Sequence, residues 1–575
     1  MGEFLSILQF KKVNCKNCYK CVRYCPVKAI RVRGHQAQII ESQCILCEKC
    51  TIVCPQNAKA EQNLIPEIQA AMGRGEKLIA SVHPAYLAKF GVTDFSWLSQ
   101  ALKKLGFAEA FEAAEGAYLM KQEYEKVISE RAGRKLIISS TCPVIVQLIE
   151  KHYPELMPNL APVLSVMQSH GKYLKESHPD AKLVYISPCI SAMAEMKEPE
   201  NYVDYVITLQ ELSEWMEKEG IPKEEKAGEE KVCLSRAVAL PDGLILSMHR
   251  QEGQRYLPIN GMDSCKKVLK ELQEGGFEDC FVEMNACVNG CIAGPSFQKE
   301  ERRLLADVFA VRNGALVQGQ PEFEQDYHID SDICLTRKFG TFARRREELV
   351  SEEEIRDILA KMGKYSEKDE LNCGACGYDT CREKAIAISQ DKAEAAMCIP
   401  YMQARQEDYS NKVFNAMPGL LVTVDYDLKI VQMNHAAMDL FNIQRKKEMI
   451  GRSVSEIMDD YSLASILSFD RNLMQDEIYL EEQKRYLDRV MTNDRKNRMI
   501  LCIMKDVTKD RVRREEIHKA QVEAARIADR LMEEQLKIVH QIAGLLGETA
   551  ADTKVAVEEL KNTILMESER QNEKK

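Results

Sequence analysis

Cys15-Lys16-Asn17-Cys18-Tyr19-Lys20-Cys21-Val22-Arg23-Tyr24-Cys25-Pro26 recurs as Cys44-Ile45-Leu46-Cys47-Glu48-Lys49-Cys50-Thr51-Ile52-Val53-Cys54-Pro55. Both stretches read CxxCxxCxxxCP. Three thiolates on a CxxCxxC loop wrap three corners of a 4Fe–4S cube, and the fourth Cys, followed by Pro, reaches the other cluster of a pair. The spacing predicts one cluster on Cys15, Cys18, Cys21 and Cys54, and a second on Cys44, Cys47, Cys50 and Cys25. Zinc is the alternative for any CxxC set, but zinc motifs rarely run as two complete units of this kind. Two linked clusters pass single electrons and by themselves catalyse nothing.

Working outward, the 575 residues exceed what one core organises, so several domains are expected. Hydrophobic residues make up 45% and charged residues 29%, the balance of a globular chain. The net charge of −10 argues against an extended nucleic-acid-binding face. No apolar run approaches the ~18–20 residues of a membrane span. Met1–Lys12 has no signal-peptide core, and Met1-Gly2 with Ser6 matches a myristoylation pattern only formally. Most of the 21 cysteines fall in tight CxxC spacings, which points to cluster ligation in a reducing cytoplasm rather than to disulfides.

Composition divides the chain into six stretches. Residues 1–60 form the two-cluster, ferredoxin-like module. Residues 75–335 alternate strand-like runs (Lys77–Val82, Lys135–Ser139, Lys182–Ile186, Cys280–Met284) with amphipathic stretches, as in an α/β fold. Residues 338–365 are a charged helical linker. Residues 366–405 hold a second Cys-rich patch, 411–508 return to short strands, and 509–575 are helical. The fold class expected is therefore multidomain, α/β and α+β.

The 75–335 stretch carries Ser139-Ser140-Thr141-Cys142-Pro143, Ser187-Pro188-Cys189 and Glu283-Met284-Asn285-Ala286-Cys287-Val288-Asn289-Gly290-Cys291. On these motifs it resembles the large-subunit domain of FeFe hydrogenases, which carries TSCCP, MPCxxKxxE and ExMACxxGCxxGG in this order. Supporting echoes are Ser81–Ala85, Ser165–Gln168 and Val203–Val206. The resemblance implies that Cys142, Cys189, Cys287 and Cys291 hold a fourth 4Fe–4S cubane, the half of the family's H-cluster to which a di-iron subsite is attached. The family's proton-relay Cys is here Thr141, and a hydroxyl of very high pKa cannot shuttle protons near neutral pH. The family Lys that pairs with a cyanide of the di-iron unit is here Ala192, which removes a charge-assisted hydrogen bond of ~1.5–3 kcal/mol. Ser187 and Asn285 replace two family methionines. Glu195 is retained, and Glu123 is a looser match to a family relay Glu. These departures lead us to expect a cubane with little or no hydrogen turnover, and leave the di-iron subsite in doubt. Reduced core thiols are the bland alternative. Cys233, Cys265, Cys280, Cys334 and Cys502 lack partners at ligand spacing and are read as buried thiols.

Asn372-Cys373-Gly374-Ala375-Cys376-Gly377-Tyr378-Asp379-Thr380-Cys381, followed by Cys398-Ile399-Pro400, resembles the small 4Fe–4S domain of corrinoid iron–sulfur proteins and membrane electron-transport subunits. The resemblance implies a third ordinary cluster on Cys373, Cys376, Cys381 and Cys398, with a helix over Arg382–Met397 returning the last thiolate. Glycines at this spacing let backbone fold tightly around a cube. Zinc is again the alternative.

Residues 411–508 resemble a PAS domain. Strands are expected at Gly419–Val424 and Lys429–Met433, a helix from Asn434-His435-Ala436, and paired strands at Tyr486–Met491 and Met499–Lys505 around a turn at Asn493–Lys496. His435 is a haem ligand by residue type only, and a lone His on a helix is more often structural. In the tail, Ile517, Ala524, Leu531, Ile538 and Leu545 recur every seven residues. That stripe fits a coiled coil, a homodimer included, or a helix laid on its own PAS domain. The tail is too short for an output enzyme.

Three functions compete on this sequence. The order of domains resembles sensory hydrogenase-like proteins, which implies a redox or hydrogen sensor relaying cluster state through the PAS domain and C-terminal helices to a signalling partner. An electron-transfer subunit serving a redox partner such as ferredoxin or a hydrogenase is the second. An active hydrogenase is the third, opposed by Thr141 and Ala192.

Overall fold

A computed structural model describes residues 7–10, 15–34, 36–93, 95–130, 136–222, 232–297, 304–316, 326–340, 350–543 and 557–566. The chain divides into two compact units, Met1–Met402 and Gln403–Lys575. Among the described residues no helix is long and apolar enough to cross a membrane.

In the first unit, four short strands, β1 (Leu8–Phe10), β2 (Ile30–Arg33), β3 (Gln36–Ile39) and β4 (Lys59–Glu61), make two antiparallel pairs, β1 with β4 and β2 with β3. Each Cys repeat carries a short helix, α1 (Lys20–Tyr24) and α2 (Lys49–Ile52). The repeats also share an unusual backbone. Asn17 and Tyr19 in the first, and Leu46 and Glu48 in the second, take φ of 52°, 56°, 54° and 55°. These are equivalent positions, and left-handed residues there turn the loop around whatever the cysteines enclose.

Seven strands follow: β5 (Leu78–Val82), β6 (Glu109–Glu112), β7 (Ile137–Ile138), β8 (Lys182–Ser187), β9 (Tyr205–Thr208), β10 (Arg255–Asn260) and β11 (Cys280–Asn285). They build two parallel sheets, in the orders β6-β5-β8-β9 and β10-β11-β7. Every residue of β5 and of β11 is buried, as expected for parallel strands covered on both faces. The four strand runs read from the sequence are thus present. The second shrinks to two residues, and its Lys135 lies outside the described residues. Helices α3 (Pro143–His152) and α5 (Ala192–Met196) follow the ends of β7 and β8, and α4 (Val166–Ser177) leads into β8.

The helix expected over Arg382–Met397 is shorter. It is α6 (Cys381–Ser389), and a separate 3-10 turn, Ala395–Met397, leads into Cys398. The break has a local cause. Asp391 adopts φ 58°, and the Lys384 ammonium reaches across to the Glu394 carbonyl at 2.7 Å, folding the chain back on α6. Helix α7 (Ile399–Ala416) starts directly after that cysteine.

The second unit holds a five-stranded antiparallel sheet of β12 (Leu420–Asp425), β13 (Ile430–Met433), β14 (Leu473–Leu480), β15 (Arg485–Asp494) and β16 (Met499–Asp506), in the order β13-β12-β16-β15-β14. The strands read from the sequence are there, and β14 is an addition whose alternating burial is too polar to stand out. Asn434 caps the helix His435–Leu440: its side chain accepts from Ala437 N at 3.0 Å. Helix α8 (Thr508–Ala543) carries the heptad stripe. Ile517, Leu531 and Ile538 are about half exposed on it, so the stripe is not laid on the neighbouring sheet. Leu545 lies outside the described residues, as do Met1, Gly2 and Ser6. One thiol reading is corrected. Cys334 is exposed, on an irregular segment with its sulfur 3.5 Å from Thr336 Oγ1, whereas Cys233, Cys265, Cys280 and Cys502 are buried.

Candidate metal centre

The central site sits where three parallel strands end. Cys142 follows β7 and stands at the N-cap of α3, with Pro143 as first helical residue. Cys189 follows β8, and Cys287 follows β11. Ligand sites in open parallel sheets form at these carboxyl ends. Cys291 opens the next 3-10 turn after Gly290, whose φ is +69° and whose added Cβ would lie 2.6 Å from the Leu240 carbonyl carbon. Only glycine permits that approach. The loops are pinned from behind: Ser139 Oγ accepts from Met284 N at 3.0 Å, and Tyr124 Oη accepts from Ser140 N at 2.8 Å.

Cys142, Cys189, Cys287 and Cys291 line one cavity of about 440 Å³. Thr141, Ala192, Ser187 and Asn285 line the same cavity, so each departure from the hydrogenase motifs faces the space that the motif cysteines surround. Burial pushes the Cys142, Cys189 and Cys291 thiols up, and Cys287 up to about 12. Four such thiols become thiolates only if a cationic centre offsets the desolvation. His83 also lines the cavity. Burial pulls it down to about 3, and its Nδ1 accepts from Ala85 N at 3.1 Å, so it is a neutral wall. Among the described residues Glu283 has no cationic partner; burial pushes it up to about 7 while the amides of Leu244 and Ile245 donate to it.

Glu195 also lines the cavity and is held there by two donors. Arg337 Nη1 donates to it at 2.7 Å, and Ser165 Oγ donates at 2.8 Å. Arg337 is itself 5% exposed and also pairs with Glu198 at 2.6 Å. Glu123 pairs with Lys126 at 3.6 Å and does not line the cavity. Among the described lining residues the one Lys or Arg is Lys49, contributed by α2 of the ferredoxin-like module. Sequence reading missed Arg337, Lys49 and His83. His83 lies within the Ser81–Ala85 echo, but nothing in the local pattern joins residues 142 positions apart, as Arg337 and Glu195 are.

The other twelve expected ligand cysteines gather in three smaller cavities of about 20 Å³ each. One is lined by Cys15, Cys18, Cys21 and Cys54, and another by Cys25, Cys44, Cys47 and Cys50. The crossing of Cys25 and Cys54 between the repeats is thus present in the geometry. Backbone amides approach sulfur at Ala29 N to Cys25 (3.2 Å), Leu46 N to Cys44 (3.4 Å) and Ala58 N to Cys54 (3.4 Å). Such donors stabilise cluster thiolates. The third cavity is lined by Cys373, Cys376, Cys381 and Cys398, together with Lys384. Lys384 is 1% exposed, and its ammonium lies 5.4 Å from the centre of the Tyr378 ring. Among the described residues no group of His, Cys, Asp and Glu is placed to hold a metal ion. Four thiols lining each of three small cavities, with amides on sulfur in two of them, suit a 4Fe–4S cube. The central four suit one as well, with room left over.

The iron-only hydrogenase large-subunit model matches residues 76–239 and 237–295, a 4Fe–4S dicluster model matches 14–58, and an Fe–S cluster model matches 369–400. The central domain is a divergent member of the FeFe-hydrogenase-like family. Around this hydrogenase-like domain the chain binds 4Fe–4S clusters. Its similarity to the periplasmic [Fe] hydrogenase large subunit of Nitratidesulfovibrio vulgaris is 31% identity over 38% of this chain and 59% of that one. For the NADP-reducing hydrogenase subunit HndD of Solidesulfovibrio fructosivorans the figures are 26%, 34% and 38%. For the cytosolic Fe-S cluster assembly factor NAR1 of Candida dubliniensis they are 26%, 34% and 40%. The chain therefore spans less than two thirds of the length of these relatives. The [FeFe]-hydrogenase HydA1 of Chlamydomonas reinhardtii is similar at 20% identity, over 42% of this chain and 88% of that one, with a TM-score of 0.34.

Proposed function

We propose that the protein is an iron–sulfur sensor of redox state or hydrogen, built on a hydrogenase-like scaffold and signalling through its second unit. One observation carries the reading. The cavity lined by all four motif cysteines presents a Thr141 hydroxyl at the relay position and an Ala192 methyl at the cation position. A hydroxyl neither releases nor accepts protons at a useful rate near neutral pH. A methyl gives no charge to an anionic ligand. A site that keeps its metal ligands and loses the relay thiol and the cation is suited to registering a state rather than to turnover.

Supporting this reading, the chain continues past its last Cys-rich patch into the five-stranded sheet of residues 420–506, which the PAS resemblance marks as a signalling domain, and then into the exposed stripe of α8. We assign the output to a partner protein bound through that stripe.

Hydrogen oxidation by the cluster-loaded full chain, with methyl viologen as acceptor, tests the proposal. The expected rate lies at least a hundredfold below that of a relay-competent hydrogenase, the scale on which a positioned acid–base group contributes. Turnover at hydrogenase rates sinks the sensor and leaves an active hydrogenase. Infrared spectroscopy of the same sample reads the larger cavity, since cyanide and carbonyl bands would place a di-iron group beside the cubane.

A further inference from the structure

Of the sixteen cysteines in the four sites, two are exposed: Cys18 and Cys373. Each belongs to a different site, so the first unit shows its clusters' ligands to solvent at two edges. The two edges differ in chemistry. Around Cys18 the exposed charged residues are Lys16 and Lys20. Around Cys373 the exposed residues include Glu367, Asp369, Asp379 and Glu383, against Lys368 and an Arg382 already paired with Glu352. The second edge is also apolar. Leu371, two residues before Cys373, is 62% exposed, and Ile399, beside Cys398, is 48% exposed; both line the four-cysteine cavity. Tyr365 is 82% exposed nearby in the chain.

That second site is not a free appendage. Arg23 Nη2 donates to the Ala375 carbonyl at 3.0 Å, and Lys28 Nζ donates to the Gly377 carbonyl at 2.8 Å. Val32 N donates to the Lys392 carbonyl at 3.0 Å, and Gly34 N to Glu394 Oε1 at 2.8 Å. Gly377 has φ +94°, and a Cβ there would stand 3.0 Å from both Arg23 N and Val22 Cβ. Tyr378, Val22 and Cys25 share one buried core. The segment contacted is α1, which contains Cys21 of one ferredoxin-like site and ends at Cys25 of the other. The loop bearing Cys376 therefore packs on a helix shared by both.

We propose that the Cys373 edge is a second electron port, docking a one-electron carrier protein with a basic rim around an apolar centre, and that it is distinct from the basic edge at Cys18. Opposite charges on the two edges select different carriers, because complementary potentials steer encounter. The contact with α1 joins the port to both ferredoxin-like sites. Each encounter moves one electron between carrier and chain, one gaining what the other loses, with no bond made and no proton transferred. The inference rests on the assignment of a cluster to Cys373, Cys376, Cys381 and Cys398.

The test uses the cluster-loaded full chain, reduced with dithionite, freed of excess reductant and mixed anaerobically with ferric cytochrome c as the basic carrier. Haem iron goes from ferric to ferrous as the chain loses one electron per haem. Ferricyanide serves as a small anionic oxidant. The double variant Glu367→Lys/Asp379→Lys is expected to slow cytochrome c reduction about tenfold at low salt. Ferricyanide reduction should not slow. Glu481→Lys/Glu482→Lys makes the same charge change on exposed residues of the other compact unit and should alter the cytochrome c rate less than twofold. Leu371→Ser should slow the carrier without a charge change. Equal slowing by both double variants, or none by the first, overturns the port. Iron content keeps the two failures apart. If Cys376→Ala/Cys381→Ala holds as much iron as the unaltered chain, the cluster assignment itself fails. If it loses iron but reduces cytochrome c as fast, the cluster stands and the port falls.

Discussion

Two four-cysteine cavities in the same compact unit differ more than twentyfold in free space. The site of Cys373, Cys376, Cys381 and Cys398 encloses about 20 Å³ and brings a buried lysine with it. The site of Cys142, Cys189, Cys287 and Cys291 encloses about 440 Å³, with Thr141, Ala192, Ser187 and His83 in its wall beside the ionisable Lys49, Glu195 and Glu283. Each has four motif cysteines, and Cys47 of the ferredoxin-like module also reaches the wall of the larger one. What differs is what can share the space with a cluster and which charges meet it. A tight site with a fixed cation is suited to pass electrons at a set potential. A roomy one that lacks the relay thiol and the cation of the hydrogenase motifs is suited to bind something and wait.

The largest test of that contrast puts the missing groups back. Thr141→Cys combined with Ala192→Lys is expected to raise methyl viologen-linked hydrogen oxidation by ~10²-fold or more, the contribution of a positioned proton shuttle. If the double variant stays as inactive as the parent, the two substitutions are not what silences the site. Next in size is Gly290→Ala. Its left-handed backbone and the 2.6 Å approach to Leu240 together are expected to cost about 2–4 kcal/mol. A urea midpoint that does not move would show that the turn before Cys291 relaxes freely. The smallest expected effect is at the tight site. Lys384→Gln removes a buried positive charge and should lower that cluster's reduction potential by on the order of 100 mV, from the Coulomb energy at such separations. EPR-monitored redox titration at neutral pH reads it, and an unchanged potential would separate the lysine from the cluster.

Three of the cysteine sites were the most legible part of the chain, because their ligands fall in short fixed spacings, whereas Cys142, Cys189, Cys287 and Cys291 were read only through the hydrogenase motifs they sit in. The parallel strands were nearly as clear, since strands buried on both faces read as unbroken apolar runs: β5, β8 and β11 lie where Lys77–Val82, Lys182–Ile186 and Cys280–Met284 predicted them. The rest depended on contacts between distant residues. Nothing around Arg337 announces that it neutralises Glu195, and nothing in Val22 or Arg23 shows that Gly377 packs on them. Helix α6 stops early because Asp391 enters the left-handed region, a choice that asparagine and aspartate make at small cost and that periodicity does not register. The exposure of Cys334 was hidden for a similar reason, since a thiol without ligand spacing is usually a core residue.

The crossed ligands of the first module set a rule for how the chain is loaded. Cys15, Cys18 and Cys21 share their cavity with Cys54, while Cys25 leaves its own repeat for Cys44, Cys47 and Cys50. Neither repeat can close a four-thiolate site alone. During synthesis the first site stays one ligand short until residue 54 has emerged from the ribosome. Damage is shared in the same way, since losing Cys25 empties a corner in the site of the opposite repeat. The module is therefore the smallest piece that can be duplicated, transplanted or repaired as a whole.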